Sequence, residues 1–255
     1  MSRPLDLLAD FTLDAWLIAK FAPRLGVTLD GRTWERSVAS LLWRPGFTRR
    51  QGPGSLRLFN LPSASGANHE IDGAASSRGG SIVLECKATS IGVTKADVAL
   101  FHFKVMDFYK RAAVTASHER WWCVMCGTTP TERSARAAAL SVGFVVCDPD
   151  RLPLPVLLRA AGKPAADLHL PDTLLQEIVR LGERALRPHQ LLWPYYAHAG
   201  EIVSRPGDWT HSETADLIWL EDELSSSLLE LYERRRPGVL ESRAATLICH
   251  ARKVA

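Results

Sequence analysis

The chain has 255 residues, of which 46% are hydrophobic and 23% charged, and its formal net charge is +3. That balance excludes disordered, collagen-like and coiled-coil classes, and no run approaches the ~18 apolar residues of a membrane helix. An isoelectric point of about 8.7 suits a polyanionic partner without requiring one.

The N-terminal stretch is apolar but interrupted by Asp6, Asp10 and Asp14, so it reads as an amphipathic helix and not as a signal peptide. Leu7, Leu8, Phe11, Leu13, Trp16, Leu17 and Phe21 supply its apolar contacts, and Pro23 and Gly26 close it. The five cysteines are an odd number, and with no secretory signal they are expected as reduced thiols in a cytoplasmic protein.

From residue 31 the texture alternates. Thr33 is placed to cap a helix through Leu42, and Pro45-Gly46 stops it. Thr48 to Asn60 reads as a strand pair or a bulged strand, His69 to Ala75 as a short strand, and Ser76 to Gly80 as a turn. SIVLECKA, from Ser81 to Ala88, is a strand. Val98, Phe101, Val105 and Phe108 mark the apolar face of a helix over Lys95–Ala112. WWCVMCG is a buried strand, Glu132–Leu140 an Ala-rich helix and VGFVVC another strand. This order points to a mixed α/β sheet with helices on its faces. Past residue 150 a Pro-rich connector leads to helical patterns at 172–187, 212–235 and 238–253. The expected organisation is an N-terminal helix (1–30), an α/β core (31–150) and a helical C-terminal region (151–255).

The chemistry concentrates in EIDGAASSRGGSIVLECKATS. A hairpin turning between residues 78 and 79 sets Asp72 opposite Glu85. Glu85 and Lys87, two apart on a strand, share a face. Two carboxylates and an ammonium then meet at one end of the hairpin. Charges in so apolar a strand are buried only when paired or metal-bound, and a divalent cation relieves repulsion between the two carboxylates. Oxygen-only ligands suit Mg²⁺ or Mn²⁺, and the set fits metal-assisted hydrolysis of a phosphodiester. The competing reading of a bare D…ExK spacing is a turn-capping aspartate with two solvated strand residues; the flanking helix with Glu35 and the helix and strands that follow weigh against it.

With TWERSVASLLWRPGF as first helix, EIDG and LECK, the chain resembles the PD-(D/E)XK nuclease superfamily over about residues 31–148, its Mrr-like and restriction-type branches in particular. The resemblance implies a restriction-endonuclease-like mixed sheet flanked by helices, with the C-terminal helical region added. It also implies a metal held by Asp72, Glu85 and the Cys86 carbonyl, and Lys87 assisting the attacking water. Glu35 is then the first-helix acid that holds a second metal or its water. Ile71 stands where the superfamily motif has its proline.

Arg36, Arg44, Arg49, Arg50 and Arg57, interleaved with Trp34, Trp43 and Phe47, read either as a phosphate-contacting rim or as a solvated face over core aromatics. Alternation turns Glu70 towards the Asp72 face, as a partner for Lys87 or an auxiliary metal contact, and His69 towards the surface. Arg234, Arg235 and Arg236 suit a helix C-terminus. Cys123 and Cys126, three apart on a strand, face opposite ways and read as buried thiols, not as cluster ligands. No Ser-His-Asp arrangement, Walker loop or dinucleotide fingerprint stands out.

The leading expectation is a Mg²⁺-dependent endonuclease acting on DNA, with restriction or phage defence suggested only by the resemblance. The alternatives are a non-catalytic nucleic-acid-binding or assembly module of the same fold, and a protein-interaction role carried by the terminal helices. Cutting both strands of a duplex commonly needs two active sites, for which the terminal helices suit a homodimer.

Overall fold

The computed structural model describes residues 4–77, 80–114, 121–162, 171–185 and 211–254. The expected turn centre at 78 and 79, residues 163–170 of the connector and residues 186–187 lie outside them.

Among these residues the order is α1 (Pro4–Phe21), α2 (Gly31–Ser40) with a 3₁₀ turn Leu41–Trp43, β1 (Arg49–Gln51), β2 (Gly73–Ser77), β3 (Gly80–Lys87) and α3 (Lys95–Val114). Then come β4 (Trp121–Gly127), α4 (Arg133–Ser141), β5 (Val145–Cys147), α5 (Leu154–Ala161), α6 (Asp172–Ala185), α7 (His211–Arg235) and α8 (Val239–Val254). No helix of the described residues is long and apolar enough to cross a membrane.

The strands form one mixed sheet in the order β1-β2-β3-β4-β5. The β1–β2 and β2–β3 pairs are antiparallel, and the β3–β4 and β4–β5 pairs are parallel. The direction changes where it must: β2 and β3 are hairpin neighbours, whereas β3 reaches β4 only through the helical crossover α3. Both faces are covered. Ile82, Leu84, Val124 and Val145 share a cluster with residues of α1, α2 and α5 to α8, while Val83, Cys123, Met125 and Val146 meet Val98, Phe101, Val105 and Phe108 of α3. This is why β3 and β4 read as continuous apolar runs.

Several local expectations shift. The α2 cap is Asp30, whose carboxylate accepts the Thr33 amide at 2.8 Å; Thr33 lies inside the helix. The strand pair or bulged strand expected over Thr48–Asn60 reduces to Arg49–Gln51, because Gly52-Pro53-Gly54 follows directly, with Gly54 at φ +80°. The β2 strand starts at Gly73, not at His69. The LPLPVLL stretch contains α5, since Pro155 falls in its first turn, where no intrahelical N–H is needed.

The helices beyond β5 are locked to the sheet by more than apolar contact. Arg136 of α4 places Nη1 3.3 Å from Asp148 Oδ2 and Nε 3.2 Å from Glu221 Oε2 of α7, all three being buried. Asp148 also accepts the amides of Thr131 and Asp150.

Candidate functional site

The β2–β3 register runs from Ser77 opposite Gly80 to Gly73 opposite Leu84, so its continuation sets Asp72 against Glu85 as the sequence spacing requires. Asp72 Oδ2 accepts the Cys86 amide at 2.6 Å. Glu85 is 2% exposed, and Lys87 Nζ lies 3.0 Å from its Oε1. Three of the expected residues therefore converge at the C-terminal end of β3. The Cys86 side chain sits with the apolar cluster, which leaves only its main chain to contribute a ligand.

Glu35 is brought to the same end by α2. The indole N–H of Trp34, the residue before it, donates to the Cys126 carbonyl at 2.9 Å and fixes the helix against the end of β4. Burial, followed by the charges of Glu70 and Glu85, raises the Glu35 carboxyl above its usual range. Burial together with Glu85 and Glu35 pushes the Asp72 carboxyl up to about 7, against the bond from Cys86 and the charge of Lys104. Asp72 and Glu35 thus both feel the negative charge of Glu85, and a cation among the three relieves that repulsion.

Two residues that the sequence does not single out complete the site. Asp97 forms a reciprocal cap with Thr94 at the start of α3, accepting the Thr94 amide at 2.9 Å and hydroxyl at 2.7 Å, and its Oδ1 lies 3.6 Å from Lys87 Nζ. Lys104, two turns further along α3, donates to Glu85 Oε1 and Oε2 at 3.1 and 3.0 Å and to the Glu70 carbonyl at 3.1 Å. The i, i+7 spacing of Asp97 and Lys104 was the available signal, because two helical turns return to the same face. Against the burial that disfavours its charge, Glu85 and Asp97 hold Lys87 above its ordinary value. The Lys87 Nζ thus sits between two carboxylates, those of Glu85 and Asp97.

The loop between β3 and α3 is pinned. Thr89 Oγ1 donates to the Gly92 carbonyl at 2.9 Å, and Thr129 Oγ1 donates to the Thr89 carbonyl at 2.7 Å. Gly92 adopts φ +72°, and a Cβ there would stand 2.1 Å from the Pro130 oxygen, so only glycine fits.

Glu70 is exposed and engages the site through its carbonyl, whereas Lys87 pairs with Glu85 and Asp97. His69, expected at the surface, is buried: its Nε2 lies 2.8 Å from Asp107 Oδ2, and its ring meets Phe103 and Phe108 edge-on. The Ser65 hydroxyl also binds Asp107, so these three residues tie the loop to α3 but form no serine–histidine relay. The cysteines are free thiols, and Cys123 and Cys126 do fall on opposite sheet faces.

The five arginines divide. Arg44 is held by Asp14 at 2.5 Å, and Arg49 donates to the Phe59 carbonyl and lies over the Phe59 ring. Arg50 reaches the Arg44 carbonyl at 3.2 Å and stacks on exposed Trp43. Arg36, next to Glu35 on α2, and Arg57, in the loop after β1, are exposed.

Among the described residues no three His, Cys, Asp or Glu side chains are grouped to hold a metal ion. The donor set nevertheless fits Mg²⁺, which is ordinarily held by one or two carboxylates with water and substrate phosphates completing its shell. Asp72 and Glu85 are hard oxygen donors, and the Lys104 ammonium, bound by both oxygens of Glu85, stands in for a cation there.

No family model matches the chain, and no curated protein matches it. It is similar to the crystal structure of a protein of unknown function, AF1548, at 19% identity over 87% of this chain and 96% of that one, with a TM-score of 0.31. A likeness of that strength carries no argument about function.

Proposed function

We propose that the chain is a Mg²⁺-dependent endonuclease that hydrolyses DNA phosphodiester bonds and keeps a restriction-endonuclease-like core. The observation that carries this reading is Glu85, a carboxylate 2% exposed at the end of β3, beside Asp72 and ion-paired to Lys87. A helix, three antiparallel strands, a crossover helix and a strand parallel to the third follow in the order expected of that core, which supports the reading.

Asp72 and Glu85, with the Cys86 carbonyl, would hold the ion, and Glu35 would hold a second ion or its water. The ion would supply charge neutralisation at the scissile phosphate and activation of water. Lys87, kept protonated, offers N–H donors to that water or to a phosphate oxygen and places positive charge where the transition state gains negative charge. Asp97, 3.6 Å from Lys87 Nζ, gives that ammonium a second carboxylate besides Glu85. Exposed Arg36 and Arg57, with Arg50 on Trp43, offer contacts to a phosphate backbone. A homodimer would bring two such sites to the two strands of a duplex.

The test is Mg²⁺-dependent nicking of plasmid DNA by the purified chain. Lys87→Ala and Asp72→Ala should abolish nicking while circular dichroism stays unchanged. Cutting at the wild-type rate by either variant defeats the assignment. The second reading, a non-catalytic nucleic-acid-binding or assembly module, is favoured by the double neutralisation of Glu85 by Lys87 and Lys104. Salt-dependent DNA binding without cleavage is its signature.

A further inference from the structure

Lys104 binds Glu85 as an ion would. Both carboxylate oxygens receive its ammonium, at 3.1 and 3.0 Å, and the third N–H goes to the Glu70 carbonyl at 3.1 Å. Glu85 thereby faces two ammonium groups, since Lys87 Nζ also lies 3.0 Å from Oε1. The two lysines differ in what they keep if Glu85 is taken away. Lys87 retains the Asp97 carboxylate at 3.6 Å, whereas Lys104 retains, among the described residues, the Glu70 carbonyl at 3.1 Å and only a through-space attraction to Asp72.

We propose that Lys104 is a built-in competitor for the divalent cation: its ammonium holds Glu85 until the ion displaces it, and so sets how tightly the site takes its metal. This rests on the nuclease reading, in which Glu85 is a ligand. Lys104 takes both oxygens of Glu85, so a divalent ion that ligates Glu85 must draw at least one of them away from the ammonium, and repulsion between the two cations favours the exchange. The displaced Lys104 side chain pivots on α3, whose start is fixed by Thr94 and Asp97. Before the ion arrives, buried Glu85 has its charge compensated and the fold is not strained by a bare carboxylate.

The experiment is calorimetric titration of the full chain with Mg²⁺ and Mn²⁺, without DNA, for the wild type, Lys104→Gln and Lys104→Arg. Lys104→Gln should bind about tenfold tighter than the wild type, and Lys104→Arg, which keeps the charge, should not. A residue with a merely structural role would leave affinity equal or weaker in Lys104→Gln, and that result overturns the inference while the nuclease reading stands. If neither the wild type nor Lys104→Gln binds either ion, both fall. Should Lys104→Gln fail to fold, the wild type decides through the NMR signal of the Lys104 side-chain ammonium. Release from Glu85 on Mg²⁺ saturation is expected to shift that signal, and a signal unmoved in a protein that binds Mg²⁺ overturns the exchange.

Discussion

Asp72 accepts the amide of Cys86, the residue after the carboxylate that raises its own proton affinity. One hydrogen bond thus holds two repelling acids side by side. Its consequence is a pH-dependent stability. The folded carboxyl sits at about 7 against 3.8 in the unfolded chain, so the folded state binds the extra proton between those values. The stability it contributes is complete below the lower value and is lost as pH rises through the upper one. In the absence of divalent ions, urea denaturation should show the wild type weaker at about pH 8 than at about pH 5, by at most about 3 kcal/mol. Asp72→Asn, which keeps an acceptor for Cys86, should flatten that dependence; an unchanged slope would contradict the assignment.

Trp34 connects core packing to the placement of Glu35. Its indole is fully buried and bonds the Cys126 carbonyl, so Trp34→Phe removes the donor and leaves a gap where α2 meets β4. A loss of about 2 kcal/mol in unfolding free energy is expected. Mg²⁺-dependent nicking should fall as Glu35 loses its fixed support. If stability is unaltered, the bond is not what seats α2.

The hairpin is legible in the sequence because strand alternation leaves little freedom once the turn centre is placed: Asp72, Glu85 and Lys87 can only share a face. The α3 face is legible for the same kind of reason, its buried Val98, Phe101, Val105 and Phe108 keeping helical period. Lys104 and Asp97 are not, since a charge flanking an apolar stripe reads equally well as solvated until the helix is docked on the sheet. Strand alternation misplaces His69 because the ladder thins before Gly73 to a single bridge, Ile71 to Ser55, and the ring packs on α3. Helix α5 is hidden by prolines that break a helix in its interior but not in its first turn.

Arg136, Asp148 and Glu221 form the buried charged link between the sheet and α7. Removing Glu221 leaves buried Arg136 with Asp148 alone and its Nε–H without a partner, which costs up to about 3–5 kcal/mol. Glu221→Ala should therefore lower the denaturation midpoint sharply and make α7 accessible to limited proteolysis before the sheet. Exchanging Arg136 and Glu221 together for apolar residues should recover part of the loss, because an apolar pair carries no desolvation cost and the Thr131 and Asp150 amides still hold the Asp148 carboxylate. A double variant no better than Glu221→Ala alone would mean that Asp148 depends on Arg136 for more than its charge.

Under the proposed function, the arginines near α2 and β1 divide between holding the fold and contacting DNA. Arg44 is committed to Asp14 of α1, so Arg44→Ala should cost about 1 kcal/mol of stability and leave the salt dependence of DNA binding as it was. Arg36 and Arg57 are exposed, and Arg36→Ala or Arg57→Ala, by leaving one phosphate without its cation, should each reduce the slope of log affinity against log salt by about 0.9. Fluorescence anisotropy on a short duplex across a salt series measures this directly. Slopes unchanged in both variants would move the DNA path away from α2 and the β1 loop, and a changed slope in Arg44→Ala would show that its ion pair with Asp14 opens when DNA binds.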